Sequence, residues 1–93
     1  MIVATAQLKF YAPWVHSLKE KRMVVKSIIA KTHHKFPVSI AEVADQDVHQ
    51  SIIIGIAYIS GTVSFADQVM DKVISFIEKN TEAELVDIQR EIR

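Results

Sequence analysis

The stretch that decides the fold is Gln50-Ser51-Ile52-Ile53-Ile54-Gly55-Ile56-Ala57-Tyr58-Ile59-Ser60. Its residues fall into two apolar rows. Ile52, Ile54, Ile56 and Tyr58 make one, and Ile53, Gly55, Ala57 and Ile59 make the other. Isoleucine is β-branched and suits extended backbone. A strand that is apolar on both faces belongs in the middle of a sheet. Gly61 ends it. The other elements are read outward from this centre.

Upstream, Ile2 to Tyr11 alternates. Ile2, Ala4, Ala6, Leu8 and Phe10 form one row, and Val3, Thr5, Gln7, Lys9 and Tyr11 the other. Period two over ten residues predicts a strand with one greasy face. Ala12-Pro13 stops it, because proline cannot donate to the ladder. Ser17-Leu18-Lys19-Glu20 is a capping box that opens a first helix running to about Lys35. On that helix Leu18, Val25, Ile28 and Ile29 share an arc, with Val24 at its edge. Phe36-Pro37 ends the helix, and Val38 to Val43 reads as a short strand.

Downstream of Gly61, Ser64 and Asp67 repeat the capping pattern for a second helix, about Phe65 to Lys79. Its apolar half holds Phe65, Ala66, Val69, Met70, Val73, Ile74, Phe76 and Ile77. Leu85 to Ile92 is a last, charged strand, and charge suits a sheet edge. The order β-α-β-β-α-β predicts one α+β domain over residues 1–93. Two right-handed crossovers give a four-stranded antiparallel sheet with both helices on one face, the ferredoxin-like arrangement. The other face stays open. It carries Val3, Thr5, Gln7 and Lys9 from the first strand, Ala41 and Val43 from the second, and Ile53, Gly55 and Ala57 from the third. That surface is apolar enough to seek a partner. The row Ile53, Gly55, Ala57 and Ile59 is the candidate interface of a homodimer.

Composition narrows the chemistry. There is no cysteine, which excludes disulfides, zinc–thiolate sites, iron–sulfur clusters and thiol nucleophiles. It also fits a reducing cytoplasm. The apolar run Ile52–Ile59 is too short to span a bilayer, and the N-terminus alternates like a strand instead of resembling a leader peptide. Net charge is zero but unevenly spread. Residues 1–35 carry seven Lys/Arg against Glu20 alone, and residues 36–93 carry four against ten acids. This argues against wholesale coating of nucleic acid and leaves room for one local basic face.

Four readings of candidate sites follow. Lys19, Arg22, Lys26 and His33 lie within about 60° of the helical wheel and make a basic stripe suited to RNA phosphates; a solvated helix face would look the same. Lys21 falls inside the apolar arc, where it can snorkel to the sheet rim. Glu42, Asp45, Gln46, Asp47, His49 and Gln50 crowd the connection between the second and third strands. Such groups either bind a metal, transfer protons or, as turns usually require, satisfy their own backbone, and Asp47 is expected to hold turn amides. Trp14 and Tyr11 flank Pro13, where an aromatic either stacks on a base or closes the end of the core. The only glycines are Gly55 and Gly61, so no phosphate-cradling loop is present. His33-His34 points its rings about 100° apart and cannot chelate one ion well. No catalytic set, metal site or cofactor is read from the sequence.

The run Ser17-Leu18-Lys19-Glu20-Lys21-Arg22, taken with Ala41-Glu42-Val43 and Gln46-Asp47…Gln50, resembles the YlxP family of small bacterial proteins. The closing run Glu84 to Ile92 is similar to that family's last strand. The resemblance covers nearly the whole chain and implies a ferredoxin-like fold. It implies no activity, since the family is a domain of unknown function. Its genes often neighbour those of translation initiation and ribosome-maturation factors, which points toward RNA or ribosome work by association. Ser17, Lys19, Glu20, Lys21, Arg22, Glu42, Gln46, Asp47 and Gln50 carry over as signature positions only. Val48 and His49 fall where other members vary, so a histidine mechanism would not be a family trait. The reading is therefore a cytoplasmic, non-enzymatic accessory protein that binds RNA or a ribosomal assembly through the first helix, with Lys19, Arg22, Lys26, His33 and Trp14 as contacts. One alternative is a homo-oligomeric interaction module using the open sheet face. A third is an enzyme using the Glu42–Gln50 hairpin.

Overall fold

The computed structural model describes residues 1–93. β1 (Ile2–Tyr11) leads to α1 (Leu18–Lys35), β2 (Ser39–Ala44), β3 (Ser51–Ser60), α2 (Val63–Lys79) and β4 (Glu84–Ile92). The sheet order is β2-β3-β1-β4, with every neighbouring pair antiparallel. Both helices cover one face, and the two-sided apolar strand β3 is indeed internal. The ferredoxin-like arrangement expected from the sequence is thus the fold of the chain.

The alternation of β1 sends Ala4, Ala6, Leu8 and Phe10 into the core, together with Ile52, Ile54 and Ile56 of β3. α2 contributes Ala66, Met70, Val73, Ile74 and Ile77, in the spacing that keeps an apolar stripe against a sheet. Phe36 and Phe76 meet edge to face, with ring centroids 5.5 Å apart, and tie the C-terminal ends of the two helices together. Arg90 of β4 turns to the helix side and pairs with Asp71 and Asp67 of α2.

Two bulges shape the edges. On β4, Val86 is an extra residue between the pairs Phe10–Leu85 and Lys9–Asp87. On β2, Val43 is extra between Glu42–Ile54 and Ala44–Ile53. The second bulge folds Val43 across Gly55 on the open face. A Cβ on Gly55 would lie 2.7 Å from Val43 Cγ1, so glycine here permits a close approach. The candidate interface row is modified accordingly. Ile53 is only 7% exposed, covered within its own molecule, whereas Ile59 is 64% exposed.

The capping box of α1 forms, with Ser17 Oγ accepting from the Glu20 amide at 3.1 Å. Glu20 Oε1 accepts from the Ser17 hydroxyl and does not reach the Ser17 amide. The second helix starts earlier than its sequence pattern suggested. Its N-cap is Thr62, whose hydroxyl accepts from the Phe65 amide at 3.3 Å, and Ser64 lies inside the first turn. β3 ends at Ser60, and Thr62 is the first hydroxyl in position to take an orphan amide. Thr62→Ala should therefore cost about 1 kcal/mol of stability in urea unfolding, while Ser64→Ala should change it by less than about 0.5 kcal/mol.

Candidate functional site

The signature residues converge on one end of the molecule, where the start of α1 meets the β2–β3 hairpin. Lys21, Val25, Ile28 and Thr32 form the buried row of α1, spaced i, i+4, i+7 and i+11. Lys21 is 1% exposed, so it does not snorkel out to water. Its ammonium stands 2.9 Å from Glu42 Oε2 and donates to the Asp45 carbonyl. The contact with Glu42 is charge against charge, off the line of a hydrogen bond, and no other donor reaches that oxygen. An ammonium held away from water needs such partners, because desolvation alone costs several kcal/mol. It needs them all the more in the first turn of a helix, where the macrodipole repels cations.

Asp45 makes this possible. Its φ of 55° places it in the left-handed region, which aspartate tolerates better than most residues. The turn exposes the Asp45 carbonyl to both Lys21 Nζ and the Val48 amide, and Asp45 Oδ2 accepts from the Ser51 hydroxyl at 2.7 Å. Gln50 fastens the opposite side. Its Nε2 donates to the carbonyls of Pro13 (2.9 Å) and Val15 (3.2 Å), and its own carbonyl accepts from the Ala12 amide. Gln46 Nε2 makes a long 3.4 Å contact to the Glu42 carbonyl. Ser17, Glu20, Lys21, Glu42, Gln46 and Gln50 thus share one task, the joining of the β1–α1 loop, the head of α1 and the hairpin.

Asp47 departs from expectation. It is exposed and makes no side-chain hydrogen bond, so it does not hold the turn; Asp45 does. Backbone sign decides this, and composition alone does not say which aspartate of Asp45-Gln46-Asp47 turns left-handed. His16, Asp47 and His49 border a shallow cleft with Val48 and Gln50, but no group of three potential ligands is close enough to hold a metal ion.

The basic stripe survives intact as geometry. Lys19, Arg22, Lys26 and His33 are all exposed, and none takes part in an ion pair. With Lys21 pointing at the sheet, the stripe stands on the flank of α1 over the β2 edge. The opposite flank, with Val24 and Ile28, faces the α2–β4 turn. Trp14 lies on that opposite flank, 39% exposed, in a groove with Met23, Val24 and Ser27. The structure therefore separates Trp14 from the stripe residues it was grouped with, because the loop fastened by Gln50 carries the indole toward the end of α2.

A small ferredoxin-like α+β domain, with a buried lysine locking its first helix to its hairpin, is the class of protein these features define. The chain belongs to the family described as "Protein of unknown function (DUF503)", whose profile matches residues 3–90. It is similar to the uncharacterized protein YlxP of Bacillus subtilis (strain 168), with 40% identity over 68 residues, covering 73% of this chain and 74% of that protein. In structure it is similar to a de novo designed protein with ferredoxin fold, LFR1 1, solved by solution NMR. The TM-score is 0.60 at 16% identity, covering 100% of this chain and 86% of the other. That likeness concerns the fold alone. No helix of the chain is long and apolar enough to cross a membrane.

Lys21→Met should cost about 3 kcal/mol in urea unfolding, since it strands the Glu42 carboxylate in a mostly buried position. Adding Glu42→Leu to it should recover at least half of that loss, as an apolar pair replaces an ionic one. Asp47→Ala should stay within about 0.5 kcal/mol of the parent protein.

Proposed function

We propose that this protein is a cytoplasmic, non-enzymatic accessory factor that binds RNA, alone or in a ribosomal assembly, through the β2-side flank of α1. One observation carries the reading: Lys19, Arg22, Lys26 and His33 stand in line, exposed and free of carboxylate partners, in a chain with as many acids as Lys and Arg. Other lysines, Lys9, Lys31, Lys35, Lys72 and Lys79, also lack a carboxylate partner, but they do not line up on one helix flank, and the remaining basic side chains are paired. Lys21 has Glu42, Arg90 has Asp67 and Asp71, and Arg93 has Glu91. A row left unpaired is one whose counter-charge comes from outside, and closely spaced phosphates match it. Neighbours three and four residues apart are about 5–6 Å apart at Cβ, and seven residues span about 10 Å along the axis. Phosphates along a strand lie at comparable separations. The association with translation implied by the family resemblance agrees with this choice of partner.

The hairpin reading of an enzyme draws less support. Glu42, Asp45 and Gln50 are each engaged in holding the fold, so their side chains are not free to serve a substrate.

The triple variant Lys19→Gln, Arg22→Gln, Lys26→Gln tests the proposal. All three side chains are exposed, so the fold should survive. Parent affinity for ribosomal RNA in a filter-binding titration should fall with salt, with a log–log slope of about 2–3 for three phosphate contacts. The triple variant should lose most of that slope and at least about tenfold in affinity at low salt. Equal binding by a folded triple variant would reduce the stripe to a solvated helix face.

A further inference from the structure

The open face of the sheet is divided into four levels along the strands by the pairing register. At the first, Ile53, Lys9 and Asp87 lie side by side; at the second, Gly55, Gln7 and Gln89. Ala57, Thr5 and Glu91 make the third. Ile59, Val3 and Arg93 make the fourth, with Arg93 held by two backbone bonds to Val3. The β3 side of each level is apolar or small, and the β4 side is charged or amide. Along β4 the sign of the charge reverses from one end to the other, with Asp87 at the first level beside Lys9 of β1, and Arg93 at the last, where Glu91 of the third level meets it at 3.0 Å.

We propose that this face binds a second copy of the chain, sheet against sheet, about a two-fold axis that runs across the strands between the Gly55 and Ala57 levels. The argument is self-complementarity. Such an axis brings the first level of one copy over the fourth of the other, and the second over the third. Asp87 then faces the second copy's arginine at position 93, and this happens twice, once on each side of the axis. The exposed Ile59 falls over the level of Ile53, which its own molecule already covers, and the Gln7 and Gln89 amides fall opposite Thr5 and Glu91, which accept from them. An axis along the strands would instead lay the small apolar half of the face over its charged half, leaving carboxylates against alkyl surface.

The relief of the face fits the same operation. Val43, folded over Gly55 and 50% exposed, forms a knob, and Ser39, Ala57 and Thr5 line a trough beside it. Each knob meets the opposite trough. Sheets packed face to face lie about 10 Å apart at about −30°, which such small central residues allow. The size of the face also decides the strength. Four strands about 4.8 Å apart and four levels about 6.8 Å apart give a footprint of roughly 500 Å² per copy, or about 1,000 Å² in total. That reaches the lower bound for a specific interface and corresponds to a reversible dimer, not an obligate one. This inference stands independently of the RNA-binding reading, since α1 lies on the opposite layer.

Sedimentation over about 5–500 µM should show the parent protein passing from monomer to dimer. Asp87→Arg and Arg93→Asp should each weaken self-association about tenfold or more, because each sets like charges opposite one another on both sides of the axis. The double variant should recover dimerisation to within about threefold of the parent. So should a 1:1 mixture of the two single variants, in which the mixed dimer meets opposite charges at both contacts. Both side chains are exposed, and thermal melting of each monomer checks the fold. A parent protein that stays monomeric throughout, or single variants that associate as the parent does, overturns the proposal. Single variants that remain monomeric when mixed overturn it as well.

Discussion

The buried ammonium of Lys21 is the constraint on which much of the structure depends. A helix whose apolar arc contains a lysine in its first turn cannot simply be laid on a sheet. The charge must either reach water or find an anion and a carbonyl. Here it finds Glu42 on β2 and the Asp45 carbonyl in the hairpin. The two partners arrive by different means. Regular alternation along β2 puts Glu42 on the same helix-side face as Ile40, and the left-handed conformation of Asp45 aims its carbonyl at the ammonium. The pair fixes the rotation of α1 about its own axis as well as its position. With Lys21 turned to the sheet, Lys19, Arg22, Lys26 and His33 are carried to the outer flank over β2, and Val24 and Ile28 to the flank facing α2. Rotating α1 by one residue would pull the ammonium from its partners and send the stripe elsewhere.

The order of elements was legible because each strand declares itself by a different pattern. β3 is apolar on both faces and β1 on one, while β4 is charged throughout, as a central strand, its neighbour and an edge require. The helix starts were legible to the residue only where one hydroxyl was available. Ser17 had no competitor, whereas Ser64 with Asp67 matched the capping pattern better than Thr62, yet Thr62 caps. The end of β3 decides that choice, and sequence patterns around a cap do not include it. The candidate site was legible as a set of residues but not as a set of roles. Lys21 on an apolar arc is equally compatible with snorkelling and with burial, and the difference lies in Glu42, two elements away. Asp45 and Asp47 are chemically alike, and only backbone handedness separates them. Trp14 could not be assigned to a flank without the Gln50 clamp that directs its loop.

The two sheet edges are protected against unwanted pairing in different ways. β4 carries Glu84, Asp87, Arg90 and Glu91, and its bulge at Val86 interrupts a continuous template. β2 has one charge, Glu42, and that charge turns inward to Lys21. Its protection is shortness, six residues, and the bulge at Val43. The same bulge places Val43 across Gly55 and creates the relief of the open face. The regular part of β2 thus sends Glu42 to the buried ion pair on one side of the sheet, and the irregularity that follows it shapes the surface on the other.

The two proposed surfaces are geometrically compatible, and their combination has a consequence that neither has alone. α1 lies on the helix layer and the self-association surface on the opposite face of the sheet, so RNA on one does not obstruct a second copy on the other. An axis running across the strands keeps the β2 edges of both copies on the same side of the dimer. Both basic flanks then face the same way, one on each outer helix layer. Three layer-to-layer steps of about 10 Å place them roughly 30 Å apart. On the proposed reading each flank alone would offer a few phosphate contacts, enough for weak and salt-sensitive binding. Two flanks on one side of a dimer make the second contact intramolecular once the first has formed, provided the RNA presents backbone at that separation. A folded RNA or a ribosomal particle presents phosphates on a rigid surface, whereas a short single strand does not hold them there. Selectivity for structured RNA would then arise from the spacing of two unspecific stripes, without any base-reading side chain in the protein.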